Sequence, residues 1–387
     1  MELELAAEQE MFADTTRKFL AEHMPVAELR AMRHDPAGFP PDYWRRGAEL
    51  GWTSLLVSEE DGGGSISASP LADLAIVAHE FGRHATPGPL AVSNVVAGAL
   101  SRSGSPEQRS AILPGLLAGQ LMAAWCLAEP RPNDAFGTVT AQAAASADGV
   151  RLSGVKAPVE GAAQAAQFLV TARSGDGMTQ LLVPADAPGV TVTPMRSIDL
   201  TRRFAAVRFD DVRLPRSAVL GEVGRAGSAV DWQLRVAVAL TLAEMLGTMD
   251  RAFEMTVQWA FDRYSFGRPL ASYQELKHRF ADMKLWLEAS HAISDGAVRA
   301  VAEGAPNAWE LLSAGKAYVG YHGIELLQDC VQIHGGIGVT FDHDMHLYLR
   351  RLTLGSRLYG SVTEHRERLT AALEAQVEEE SPDDDRR

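Results

Sequence analysis

The sequence predicts an α+β fold made of a helical region, a compact β region and a second helical region, and three observations predict it. Apolar positions recur every three and four residues from residue 1 to about 120, and again from about 226 to 377. Between them, from about 121 to 225, short runs rich in Val, Leu and Thr are separated by Gly, Pro, Asp and Ser. The chain has 387 residues, 46% hydrophobic and 22% charged, ample for two or three domains around a large core. That composition argues against disorder, collagen-like repeats or a disulfide framework. The expected domains are 1–120, 121–225 and 226–377, with an acidic tail at 378–387.

In the first region the periodicity places helices over 4–22, 41–51, 70–85, 89–102 and 106–118. The last has a marked start, because Ser105-Pro106-Glu107-Gln108 puts serine at the N-cap, proline at the first helical position and glutamine where a capping box needs its reciprocal acceptor. The middle region reads as a compact antiparallel β domain, its runs including GVRLSG, AQFLVTA, TQLLVPA and AAVRFDDVRL. It has no βαβ alternation and no GxGxxG after a strand, which argues against a Rossmann nucleotide site. Beyond 226 the pattern gives helices over 228–263, 272–303, 305–333, 342–355 and 361–377. Gly267 and Pro269 end the first of these, and Ser272-Tyr273-Gln274-Glu275 is a second expected capping box. The third ends at Gly335-Gly336-Ile337-Gly338, where glycine frees the backbone for close approach to a ligand.

The formal net charge of −14 repels phosphate backbones and anionic lipid, so neither nucleic acid nor a membrane surface is an expected partner. Part of that charge is local, since the last ten residues hold six acids and two arginines. Cys126 and Cys330 lie far apart and outside any CxxC pair, the usage of reduced thiols in a cytoplasmic protein. The acidic N-terminus lacks the basic start and apolar core of a signal peptide, and runs such as Leu90–Leu100 are far shorter than a bilayer span. No metal site is expected: His343 and His346, flanked by Asp342 and Asp344, have no distant third ligand and read as a solvated helix start.

Two stretches carry a specific resemblance. Arg263-Tyr264-Ser265-Phe266-Gly267-Arg268-Pro269-Leu270, followed by Gln274, His278 and Ala281-Asp282-Met283, resembles the R-x-x-F-G-x-P…Q…H…ADM stretch of the acyl-CoA dehydrogenase family. Gln332-Ile333-His334-Gly335-Gly336-Ile337-Gly338 is similar to that family's Q-x-x-G-G-x-G stretch, and Gly51-Trp52 with Glu59-Glu60-Asp61-Gly62-Gly63 matches upstream. The resemblance covers nearly the whole chain. It implies a β-barrel middle domain, a C-terminal four-helix bundle, and an FAD lying across a subunit interface. On the residues, Arg263 and the glycine backbone at Gly335 and Gly336 suit a pyrophosphate, while Phe266, Gln274 and Gln332 supply flat apolar contact and amide partners.

The chain also departs from the family. The glutamate that abstracts the substrate α-proton in the resembling enzymes is replaced, on a gapless count, by Tyr359, a phenol too weak as a base for this step unless strongly perturbed. At the alternative base position the count gives Ala237, with Asp231 and Glu244 about two turns away on either side. Glu244 is a displaced-base candidate weighed against a buried carboxylate making an intersubunit hydrogen bond. The flavin-pocket stretches are altered too, to Ala128-Glu129-Pro130-Arg131-Pro132-Asn133-Asp134 and Lys156-Ala157-Pro158-Val159-Glu160. Pro158 stands for the ring-packing aromatic, and Glu160 for a hydroxyl donor whose replacement by carboxylate would repel a reduced flavin.

The pattern implies loss of the base and flavin pocket, with retention of the elements that act on a partner's FAD. The expectation is a non-catalytic subunit of an FAD-dependent acyl-CoA dehydrogenase, half of an α2β2 heterotetramer with a second acyl-CoA dehydrogenase subunit, acyl-CoA as substrate and a flavoprotein as electron acceptor. Residues 338–351 resemble a variant associated with actinobacterial heteromers acting on bulky acyl-CoAs such as steroid side chains. Three alternatives stand beside it: a homotetrameric dehydrogenase with a displaced base, a flavin monooxygenase of the same fold, and a non-enzymatic acyl-CoA-binding or scaffold protein without FAD.

Overall fold

The computed structural model describes residues 5–130, 138–146, 148–175 and 177–380, without the side chains of the last three. Arg131, Pro132, Asn133 and Asp134 of the altered flavin stretch, and most of the expected acidic tail, lie outside the described residues. The first region holds α1 (Ala7–His23), α2 (Val26–Ala31), α3 (Pro41–Glu49), α4 (Pro70–Arg83), α5 (Leu90–Ser103) and α6 (Pro106–Leu117). α6 starts as its sequence dictates: Ser105 Oγ accepts the Gln108 N–H at 3.2 Å, and Gln108 Oε1 accepts the Ser105 N–H at 3.0 Å. α5 is buried from Leu90 through Leu100, which explains its lack of a polar face. Trp52 fills the space among α1, α3 and α4, edge-on to Phe81 at 5.1 Å, and its indole N–H is satisfied by Thr16 Oγ1.

The β region corrects one expectation, since its sheet is not a barrel. Strands β1 (Ala123–Cys126), β2 (Gln142–Ser146), β3 (Gly149–Glu160), β4 (Gln167–Ser174), β5 (Gly177–Pro184), β6 (Val190–Met195), β7 (Phe204–Leu214) and β8 (Val219–Leu220) form one open sheet. Its order is β6-β7-β3-β2-β4-β5-β8, with β1 also paired to β4. Nor is it purely antiparallel, because β1 and β2 both lie parallel to β4. The β2–β4 seam is a single register position, Gln142 opposite Arg173, and the two ends, β6 and β8, do not pair with each other. A barrel requires its edge strands to meet. β8 has only two residues, and β6 shows a part-exposed face of the kind that blunts an edge.

The second helical region contains α7 (Gly227–Asp262), α8 (Gln274–Ala302), α9 (Ala308–His334), α10 (Met345–Gly355) and α11 (Val362–Glu380). Between α7 and α8 a short hairpin pairs Tyr264–Ser265 with Arg268–Pro269. The capping box expected at Ser272 does not form. A 3-10 turn over Leu270–Ser272 takes that serine, whose Oγ donates to the Pro269 carbonyl at 2.7 Å, and α8 begins one residue later behind Tyr273. α4 and α7 approach backbone to backbone at two glycines. A Cβ on Gly82 would lie 1.9 Å from the Glu244 carbonyl oxygen, and one on Gly247 would lie 1.9 Å from that of His79. No helix among the described residues is long and apolar enough to cross a membrane.

Candidate functional site

Two places hold the residues singled out by the sequence. The first is an interior cavity of about 250 Å³ where β1, β3 and β7 face α7 and the α10–α11 loop. Tyr359 lies on that loop with left-handed backbone (φ 56°) followed by Gly360 (φ 110°), which turns its side chain back toward the sheet. Its ring sits 5.8 Å from that of Trp125. The loop is held from beneath by Lys316 of α9, whose buried Nζ donates to the carbonyls of Gly355 (2.5 Å) and Leu358 (2.9 Å). His365 adds a contact to the Tyr359 carbonyl at 3.1 Å. Burial lowers the Lys316 pKa to about 7 and that of His365 to about 3. Burial, then the charge of Glu160, pushes the Tyr359 phenol well above its ordinary range, so it holds its proton.

Beside Tyr359 runs a buried chain of charges. Arg202, 5% exposed, donates from Nε to Glu160 Oε1 at 2.6 Å and from Nη2 to Glu160 Oε2 at 2.5 Å. Its Nη1 reaches Glu244 Oε1 at 3.4 Å, and Arg351 donates from Nε to the same oxygen at 2.8 Å. Arg351 also donates to Thr201 Oγ1 and the Thr86 carbonyl, so its fork is satisfied on three sides. Burial raises the Glu244 pKa, but the charges of Arg351 and Arg202 outweigh that and hold it below the ordinary range. Glu244 is thus an ionised member of a network within one chain. Glu160 likewise differs from its expectation, because Arg202 balances the negative charge that would have faced a flavin.

A second buried pair supports the cavity wall. Lys156, fully buried, donates from Nζ to Glu129 Oε1 at 2.8 Å and to the Leu127 carbonyl at 3.0 Å. Glu129 also accepts the backbone N–H of Thr140 and Ala141, each at 2.9 Å. Burial raises the Glu129 pKa, while the Ala141 N–H and Lys156 outweigh it and bring the carboxyl down to about 2.

The second place is an exposed end of the helical region. Arg263 caps α7, Phe266 stands 97% exposed at the tip of the hairpin, and Gln274 opens α8. Gln332 ends α9 just before Gly335, whose φ of 65° breaks the helix, and Gly336 follows it. The antiparallel run of α7, α8 and α9 brings these positions to one end. A ring stack of Trp259 on His334 at 5.2 Å ties two of the helices there, with the Arg263 guanidinium 5.9 Å from the Trp259 centroid. A Cβ built on Gly267, Gly335 or Gly336 meets nothing within 4 Å, so this backbone is open to a ligand. His343 is not a solvated helix start. It packs 4.4 Å from the His334 ring, and α10 begins after it at Met345.

α7 spans both places and sets their separation. Leu234 lines the cavity, and Arg263 caps the far end of the same helix. Twenty-nine residues at 1.5 Å rise put them about 43 Å apart. Sequence reasoning missed Arg202, Arg351, Lys316 and Trp125. The doublets Arg202-Arg203 and Arg350-Arg351 amid apolar neighbours were the available signal.

The comparisons with known proteins agree with this architecture. Residues 6–120 match the model for the acyl-CoA dehydrogenase N-terminal domain, and 228–373 match the model for the acyl-CoA dehydrogenase C-terminal domain. The chain is 28% identical to acyl-CoA dehydrogenase IpdE2 of Mycobacterium tuberculosis over 372 residues, covering 95% of this chain and 97% of that protein. It is 28% identical to the mitochondrial isobutyryl-CoA dehydrogenase of Dictyostelium discoideum, covering 92% and 87% respectively. Among solved structures, the Tcur3481-Tcur3483 steroid ACAD is similar at a TM-score of 0.86 and 28% identity, covering 96% of this chain and 98% of that one. With both terminal regions matched and the likeness running along almost the whole chain, this protein belongs to the acyl-CoA dehydrogenase family.

Proposed function

We propose that this chain is the non-catalytic subunit of an FAD-dependent acyl-CoA dehydrogenase, a cytoplasmic α2β2 assembly in which it completes the FAD site of a second, catalytic subunit. The observation that carries the reading is the separation of about 43 Å along α7 between the cavity and the Arg263 end. Residues of that end cannot serve a flavin in their own chain's cavity, so they act across an interface. Among the described residues the cavity offers no unengaged base: Tyr359 keeps its proton, Glu160 and Glu244 are bound to guanidinium groups, and Glu129 is bound to Lys156. Trp125, Tyr359 and Glu160, the last held by Arg202 from behind, line the space a flavin ring would need.

The exposed end suits the adenosine half of FAD. No carboxylate pairs with Arg263 among the described residues, which leaves its guanidinium for pyrophosphate oxygens. The open Gly335 and Gly336 backbone adds N–H donors, Phe266 a flat face, and Gln274 and Gln332 amides. When bound, FAD supplies the hydride acceptor for α,β-dehydrogenation of an acyl-CoA. Electrons then pass to an electron-accepting flavoprotein. The relative named as a steroid ACAD carries a double designation, Tcur3481-Tcur3483, which supports a paired assembly and a bulky acyl group for this chain as well.

The test is to replace Arg263 with Ala in the coexpressed assembly and measure its flavin content. The reading predicts a loss of FAD with the two chains still associated. Unchanged FAD would favour a scaffold without a cofactor role. Flavin bound by the isolated chain, with reductase-dependent oxygen uptake, would favour a monooxygenase.

A further inference from the structure

A second cavity, of about 400 Å³, lies among α1, α4, α7 and α8, on elements other than those that carry the Tyr359 loop. Three helices each give it one stripe at helical spacing. α4 presents Ala72, Ala75, Ile76 and His79; α8 presents His291, Ser294 and Val298; and α1 presents Gln9, Ala13 and Arg17. Ala243 and Leu246 of α7 complete it. Repeated alanine on these faces keeps the helices apart from side chains that would otherwise fill the space.

The polar groups around this cavity divide into two kinds. Most are already matched. Arg17 donates to Glu80 from Nη2 at 2.7 Å, and the Asp250 carboxylate receives His79 Nε2 at 2.7 Å and His291 Nε2 at 2.9 Å. Arg299 is exposed to water, but the Ser294 hydroxyl, 2% exposed, has no hydrogen-bond partner among the described residues although it lines the cavity. A buried hydroxyl without a partner is costly, and such groups in native proteins are normally satisfied. An apolar patch of Ala13, Ala72, Ala75, Ile76, Leu246 and Val298 beside a few polar groups describes a small-molecule site.

We propose that this cavity binds a largely apolar small molecule carrying a hydroxyl or carbonyl oxygen, which pairs with the Ser294 hydroxyl while its hydrocarbon body lies on the alanine faces of α1 and α4. The site is independent of FAD and of the proposed subunit role, so it stands or falls separately from them.

The probe is prodan, a neutral naphthyl ketone with environment-sensitive fluorescence, titrated into the purified assembly. The expected result is saturable binding with a blue shift at one site per chain. Ser294→Ala weakens it about fivefold, the scale of one hydrogen bond, and Ala72→Phe or Ala75→Leu abolishes it by filling the cavity. Thermal unfolding of each variant confirms that it is folded. Absence of saturable binding, or binding that survives both cavity-filling substitutions, overturns the site. Binding lost in Ala72→Phe but unchanged in Ser294→Ala overturns the oxygen-bearing ligand.

Discussion

The Arg202 guanidinium lies fork to fork on the Glu160 carboxylate, with Nε and Nη2 each within 2.6 Å of an oxygen and both side chains buried. Two charges removed from water hold together only while both are present. Replacing Glu160 with Leu leaves Arg202 with Glu244 at 3.4 Å as its remaining partner. The expected cost is about 3–5 kcal/mol of stability, read from urea unfolding. The double variant Glu160→Leu with Arg202→Met recovers most of that loss. A single-variant cost below about 1 kcal/mol, the scale of a surface pair, would refute the role assigned to this contact.

A glutamate at position 359, where the sequence count puts the resembling enzymes' base, is not expected to bring catalysis to this chain. Tyr359→Glu places a carboxylate against Trp125 with Glu160 and Glu244 nearby, and Lys316 is occupied with loop carbonyls beneath. The isolated variant is expected to show no acyl-CoA oxidation with an artificial acceptor and to lose at least about 2 kcal/mol of stability. Turnover by this variant would contradict the account of the cavity.

Stability is expected to fall at both pH extremes, for identifiable reasons. Glu129 has its pKa lowered from 4.5 to about 2, so its contribution is full above 4.5 and is lost as pH falls toward 2. For His79, burial opposes the charged ring, but hydrogen bonding to Asp250 and Glu80 outweighs it and raises the pKa from 6.5 to about 9. That contribution is full below 6.5 and is lost as pH rises through 9. The groups around this ring are Asp250 on α7, Glu80, Arg17 and Arg83, with His291 across the shared carboxylate. Unfolding midpoints between pH 6 and 10 are expected to drop for the parent and to flatten in His79→Gln. Parallel curves would refute the assignment.

Phe266, almost wholly exposed, contributes little to the fold of its own chain. Phe266→Ala is expected to shift the stability of the isolated chain by less than about 0.5 kcal/mol, as for an ordinary surface substitution. In the assembly it is expected to lower FAD retention. Comparing denaturation of the chain with flavin release from the complex separates the two effects.

Much of the helical architecture was legible because it depends on local signals. The Ser105 capping box and the helix end at Gly335 were readable from a few adjacent residues. The second capping box was misread because Ser272 has two local partners and the 3-10 turn takes it. The open sheet was not legible, because the β2–β4 seam joins Gln142 to Arg173 through tertiary placement that no run of residues records. The same holds for the cavity. Glu160 reads from sequence as an unbalanced carboxylate, yet its partner lies 42 residues away, and Arg351 reaches Glu244 across 107. Local chemistry named the residues, and long-range pairing decided their charge.

The most direct measurement of the central claim is flavin counted per chain, in the isolated protein and in the assembly with its partner subunit. The non-catalytic role requires no FAD on the isolated chain, one FAD for every two chains in the α2β2 assembly, and acyl-CoA oxidation by the assembly alone. Stoichiometric FAD and turnover in the isolated chain would contradict it.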